Sequence, residues 1–112
     1  MLFRSRRMPE YLLVSTTTGS RDSALKLLRS AVRERLAASG QVLGPVLSAF
    51  WHHDEFGEGE EWQVFFKTEA SQYPHLEAHL RVNHPWENPE ITAFTIADGS
   101  AAYLDWISRA VS

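Results

Sequence analysis

Two stretches near the middle of the chain carry large apolar side chains on both of their alternating faces, and this restricts the fold more than any other feature. In an extended strand successive side chains point to opposite faces. From Val46 to Trp51, Val46, Ser48 and Phe50 point one way while Leu47, Ala49 and Trp51 point the other; further on, Trp62, Val64 and Phe66 oppose Phe65. A sheet made of such strands must be covered on both faces. A chain of 112 residues has room for one domain, and two helices can cover only one face of its sheet. Burying the second face is worth roughly 25 cal/mol per Å² of apolar surface. The pattern therefore predicts self-association, a homo-oligomer whose sheets bury their second faces against one another.

The remaining segments supply the helices. Tyr11 to Thr17 reads as a strand opened by the apolar run Tyr-Leu-Leu-Val, followed by a turn at Thr18-Gly19. Ser20 is placed to cap a helix, with Asp22 near its positive end. Leu25, Leu28, Val32 and Leu36 recur at helical spacing along one stripe, and Gly40 is the expected stop. Strands are expected at Val42 to Trp51 and Trp62 to Thr68, joined across the turn-rich Asp54-Glu55-Phe56-Gly57-Glu58-Gly59, with Pro45 near the start of the first. A second helix from Ser71 to Asn83 carries Tyr73, Leu76 and Leu80 on one face. Pro74 lies in its first turn, and His84 before Pro85 ends it. Ile91 to Ala97 reads as a fourth strand. Ser100 is placed to cap a last helix bearing Tyr103, Leu104, Ile107 and Val111. The order β-α-β-β-α-β plus a C-terminal helix predicts an α+β, ferredoxin-like domain with an antiparallel sheet.

Composition excludes several functions. Without cysteine there is no disulfide framework, zinc-thiolate site or thiol nucleophile, and the expected compartment is the cytoplasm. A net charge of −3 argues against a dedicated nucleic-acid binder, and no apolar run is long enough to span a bilayer. Residues 1–9 read as a basic, flexible tail, with Met8 as a natural start, ahead of a domain spanning 10–112. Ser15, Ser39 and Ser48 lack a nucleophile-elbow context, Glu60 and Glu61 point apart along a strand, and no phosphate-binding glycine loop is present. No catalytic group is expected. His52 and His53 are adjacent on a strand, so they should face apart and not chelate one ion together, whereas His52 and Asp54 should share a face. His75 and His79, four apart on a helix, should share a side.

Several blocks resemble the CutA family of divalent-cation tolerance proteins. They are Arg35-Leu36-Ala37-Ala38, Ser48-Ala49-Phe50-Trp51, Glu60-Glu61 followed by Lys67-Thr68, His84-Pro85-Trp86-Glu87-Asn88-Pro89-Glu90-Ile91, and Tyr103-Leu104-Asp105-Trp106-Ile107. The resemblance runs from about Tyr11 to Val111. It implies a ferredoxin-like fold assembled as a trimer, no enzymatic activity and an association with divalent metals, copper above all. In the family's metal-binding picture a cysteine near the end of the first strand joins a histidine and a glutamate. The corresponding residues here are Ser15, His84 and Glu90. A hydroxyl is a poor substitute for the thiolate that favours Cu(I), and His84 with Glu90 is a nitrogen/oxygen pair suited to Cu(II) or Zn(II). Equally, His84 can simply hydrogen-bond at its helix end and Glu90 can accept from backbone amides. The family's frequent Trp-x-Gly in the hairpin is His52-His53-Asp54 here.

A second reading is a trimeric small-molecule or anion sensor, similar in plan to the PII-type signalling proteins. Lys67, Glu61, Trp86 and Glu87 would line its intersubunit clefts. The chain lacks a long signalling loop between the hairpin strands. Small oxygenases that assemble through ferredoxin-like sheets are a third class, for which no catalytic constellation is seen.

Overall fold

A computed structural model describes residues 10–112; the expected tail and the start at Met8 lie outside the described residues. The elements are β1 (Tyr11–Thr18), α1 (Arg21–Arg33), β2 (Ser39–His52), β3 (Glu55–Glu69), a 3-10 turn (Ala70–Gln72), α2 (Tyr73–Asn83), β4 (Ile91–Thr95) and α3 (Ala101–Val111). The four strands form one antiparallel sheet in the order β2-β3-β1-β4. The architecture is α+β with three helices.

Alternation along the central strands explains the core. Val14 pairs with Phe66 and Thr16 with Val64, and these side chains face α1 and α2. There they meet Ala24, Leu27 and Ala31 of α1 and Leu76 and Leu80 of α2, all buried. Ser20 accepts from the Ser23 amide at 3.1 Å and so caps α1. The stripe expected at Leu25, Leu28, Val32 and Leu36 is only half-buried. The deepest line runs through Ala24, Leu27 and Ala31, because alanine lets the helix axis approach the sheet.

Other expectations are corrected. Helix α1 stops at Arg33, and Arg35, with φ of 61°, takes the left-handed position that glycine was expected to supply. Gly40 lies inside β2 instead, where a Cβ would stand 2.4 Å from the Phe65 carbonyl oxygen and 2.5 Å from Leu28 Cδ1. Pro45 is not at a strand start. It follows a cis Gly44-Pro45 bond at the register shift between Leu43 and Val46, where loss of an amide donor is tolerated. Strand β4 ends at Thr95 rather than Ala97, and α2 begins at Tyr73, preceded by the 3-10 turn.

The hairpin differs most. Its turn is only His53-Asp54, with φ of 52° and 64°, and Glu55 to Gly59 already belong to β3. Strands β2 and β3 run 14 and 15 residues, whereas β1 has 8 and pairs only with Trp62 to Glu69 of β3. Val46–His52 and Glu55–Glu61 therefore form a two-stranded arm beyond the sheet, and the described residues span 49 × 28 × 22 Å. Leu47 (74% exposed), Trp51 (75%) and Phe56 (62%) stand on this arm, Trp51 and Phe56 packing edge to face at 6.1 Å.

Helix α3 does not join the other two. Tyr11 and Glu69, paired across β1 and β3, both bond Ser108 of α3, and Ile107 and Val111 are buried there. Arg35 and Gln72 donate to the last carbonyls of α3, at Ala110 and Val111. Tyr11 shares its face with Leu13 and Ser15, so α3 covers one end of the second face; further along, the small Ser15 and Thr17 are buried but Phe94 stands uncovered (58% exposed).

One buried hydroxyl has no partner among the described residues, that of Thr16. It faces the helices from β1, fully enclosed. Thr16→Val keeps the shape and removes the unmet donor. The variant should be as stable as wild type or up to about 1 kcal/mol more stable in urea unfolding. A clear loss would show that the hydroxyl has found a partner.

Candidate functional site

The residues that sequence places together do converge in part, at the end of β1 where α2 gives way to β4. His84 follows α2 with an extended backbone, as expected ahead of Pro85, and its ring is buried against β1. Nε2 lies 2.7 Å from the Thr17 carbonyl oxygen, and Nδ1 lies 3.0 Å from the Trp86 amide nitrogen. A carbonyl only accepts and an amide N–H only donates, so the partners set the tautomer: Nε2 carries the hydrogen and Nδ1 is the acceptor. Thr17 also donates its hydroxyl to Glu90 Oε1 at 3.2 Å. Trp86 leans over His84 with ring centroids 5.2 Å apart, and its indole approaches the turn at Gly19.

Ser15 is buried on the same face of β1 as Thr17, two residues or about 7 Å away, between Phe65 of β3 and Thr92 of β4. Ser15, His84 and Glu90 thus occupy one neighbourhood, with Thr17 as the residue that links the latter two. Sequence reasoning missed Thr17; a threonine run entering a turn carries no chemical signature by itself. As folded, this set does not fit a resident ion. Both imidazole nitrogens are engaged by backbone groups, Oε1 of the exposed Glu90 accepts from Thr17, and Ser15 offers no thiolate. A metal at His84 would have to displace either the Trp86 amide or the Thr17 carbonyl.

The cleft residues do not meet within one chain. Glu61 and Lys67 lie six positions apart on β3, about 20 Å, at opposite ends of the β1 pairing. Glu61 lies just beyond the Trp62–Thr18 pair, toward the end where Trp86 and the exposed Glu87 sit, whereas Lys67 pairs with Leu13 and Ser39. Among the described residues no carboxylate stands within 4.0 Å of half-buried Lys67.

The other histidines divide differently from expectation. His79 turns to α1, its Nε2 2.8 Å from Ser30 Oγ and its Nδ1 3.9 Å from Glu34, while His75 is exposed. His52 and His53 do not face apart: their rings lie side by side, centroids 4.1 Å apart and planes 57° apart. The alternation argument failed because His53 belongs to the turn. Tyr73, in the first turn of α2, has its hydroxyl pushed above the usual phenol range, chiefly by burial and further by the Glu77 carboxylate. A proton held that firmly is unsuited to general-base work near neutrality.

A sequence model of the family described as CutA1 divalent ion tolerance protein matches residues 12–110. Divalent-cation tolerance protein CutA of Thermus thermophilus is 33% identical over 89% of this chain and 95% of its own length. Protein CutA, chloroplastic, of Arabidopsis thaliana is 30% identical over 94% of this chain, which spans 57% of that protein. The crystal structure of CutA from Xylella fastidiosa superposes with a TM-score of 0.88 at 28% identity, covering 91% of this chain and 98% of that one.

Proposed function

Since the chain belongs to the CutA1 divalent ion tolerance family, we propose that it acts as a non-catalytic homotrimer in the response to divalent metal ions. The observation that carries the assembly is the unburied apolar surface of a single chain. Leu47, Trp51 and Phe56 on the arm and Phe94 on the open sheet face have no cover within it. A two-stranded ribbon is marginal alone, so an arm of this length needs a neighbour to pack against. The strand order β2-β3-β1-β4 with crossovers through α1 and α2 supports the ferredoxin-like assignment.

Copper or zinc at Ser15, His84 and Glu90 would bind weakly, because the ring nitrogens already have partners and serine replaces the soft ligand. Two measurements test this reading. Sedimentation equilibrium at micromolar protomer should give a trimer mass, and a stable monomer would overturn the assembly. Ser15→Cys should raise copper affinity over wild type by at least about tenfold in calorimetric titration; no gain would remove that end of β1 from the metal-handling function.

A cleft for a small anion is the second reading, favoured by Lys67 having no carboxylate within 4.0 Å among the described residues. Lys67 lies far from Trp86 and Glu87 in one chain, so such a cleft is complete only across a subunit boundary and presupposes the same trimer. The compartment we propose is the cytoplasm; among the described residues no helix is long and apolar enough to cross a membrane. The Arabidopsis relative is named chloroplastic, so cell fractionation decides the compartment for this chain.

A further inference from the structure

We propose that the tip of the β2–β3 arm binds a divalent transition-metal ion of the Cu(II), Ni(II) or Zn(II) class through His52 and His53, at a site separate from His84. Adjacent histidines on a strand diverge, but here the chain leaves the strand between them. His52 is the last residue of β2, and His53 and Asp54 both take left-handed conformations that close a two-residue turn. That reversal swings the His53 ring back beside the His52 ring, with centroids 4.1 Å apart. Metal–nitrogen bonds of about 2.0 Å put the centroids of a chelating pair roughly 4.5–5 Å apart, within reach of small side-chain rotations.

Three further observations point the same way. Glu55 opens β3 directly opposite His52, so its carboxylate leaves the arm on the same face as that ring. Neither His52 nor His53 makes a hydrogen bond among the described residues, in contrast to His84, so their ring nitrogens are available. The surroundings are strongly anionic as well. Asp54, Glu55, Glu58, Glu60 and Glu61 lie on the arm, and no lysine or arginine occurs between residues 36 and 66, so cations are drawn to this end.

Two imidazole nitrogens with a carboxylate alongside suit borderline ions rather than Ca²⁺ or Mg²⁺. Among the described residues no three such side chains converge, so the remaining coordination positions go to water or to a rotated Glu55.

The test is titration of the untagged full-length chain with copper(II) sulfate by calorimetry, with electron paramagnetic resonance of the loaded protein. Saturable binding is expected, with a spectrum showing two imidazole nitrogens. His52→Ala and His53→Ala should each weaken it by at least about tenfold and change the nitrogen pattern, while His75→Ala, which removes an exposed histidine elsewhere on the surface, should leave both readouts unchanged. Both histidines are exposed on the single chain, and sedimentation of the tip variants beside wild type checks that the assembly is unchanged. Binding unaltered in the tip variants, binding lost instead in His75→Ala, or no saturation below millimolar copper would each overturn the proposal.

Discussion

Phe66→Ala is expected to lower the stability of the fold by about 3–5 kcal/mol, the cost of emptying a large, fully enclosed aromatic site. Phe66 sits on the central strand β3 between Val14 of β1 and Gly40 of β2. The space of a Gly40 Cβ is within 3.4 Å of the Phe66 ring. Rigid strand backbones on both sides leave little room for the cavity to collapse, which puts the cost toward the upper end. Against a total of roughly 5–15 kcal/mol for a domain, this is enough to unfold much of the population under mild stress. Phe94→Ala is the informative comparison. Phe94 is 58% exposed on the open sheet face, so the same change should cost the single chain little and act instead on assembly. Urea unfolding at fixed protomer concentration, paired with sedimentation, separates the two. Equal effects of the two substitutions on unfolding would show that the open face is already covered within one chain.

His84→Ala is expected to cost about 2–4 kcal/mol, even though the residue lies outside the main apolar cluster. The ring joins the loop after α2 to the end of β1 through two opposite functions, donating to the Thr17 carbonyl and accepting from the Trp86 amide. Alanine strands both backbone groups, at about 1–3 kcal/mol each, with some relief from water on the part-buried Trp86 side. In thermal unfolding the loss corresponds to roughly 10–20 °C. Asparagine and glutamine dissect the role. Asparagine places an acceptor near the Nδ1 position and should keep the Trp86 bond; glutamine extends a donor toward Thr17 and should keep the other. Each should recover part of the loss. Full stability in His84→Ala would mean that the ring is not a structural latch, and would return it to consideration as a free ligand.

Glycine was the residue whose role sequence reasoning mistook most often, for one physical cause. Gly40 reads as a helix stop, and Gly57 and Gly59 as parts of a turn, because glycine's permissiveness is its most familiar use. Gly40 and Gly57 in fact serve close approach. The missing Cβ of Gly40 leaves room for Leu28 and the Phe65 carbonyl, and that of Gly57 lies 2.8 Å from the Phe50 ring across the arm. Which use applies depends on a neighbour from another strand, and no local pattern contains that neighbour. The stripe on α1 shifted for a related reason: the buried line follows small residues that bring the helix near the sheet, and hydrophobic spacing alone favours the larger leucines. The proximity of Ser15, His84 and Glu90 was legible only through resemblance, whereas the Thr17 contacts that occupy His84 and Glu90 depend on the register of β1 against β4.

The two-faced apolar strands contained the central conclusion from the start. Alternation is a property of the extended backbone, so the sequence by itself determined that one chain leaves apolar surface unmet; local turn and capping residues likewise determined the order of strands and helices. Tertiary structure decided where that surface lies, because β1 is too short to support the full hairpin and α3 turns to the far face instead of joining α1 and α2. It also decided what the histidines are free to do. Hydrogen-bond partners distant in sequence occupy both nitrogens of His84, and a two-residue turn leaves those of His52 and His53 available side by side.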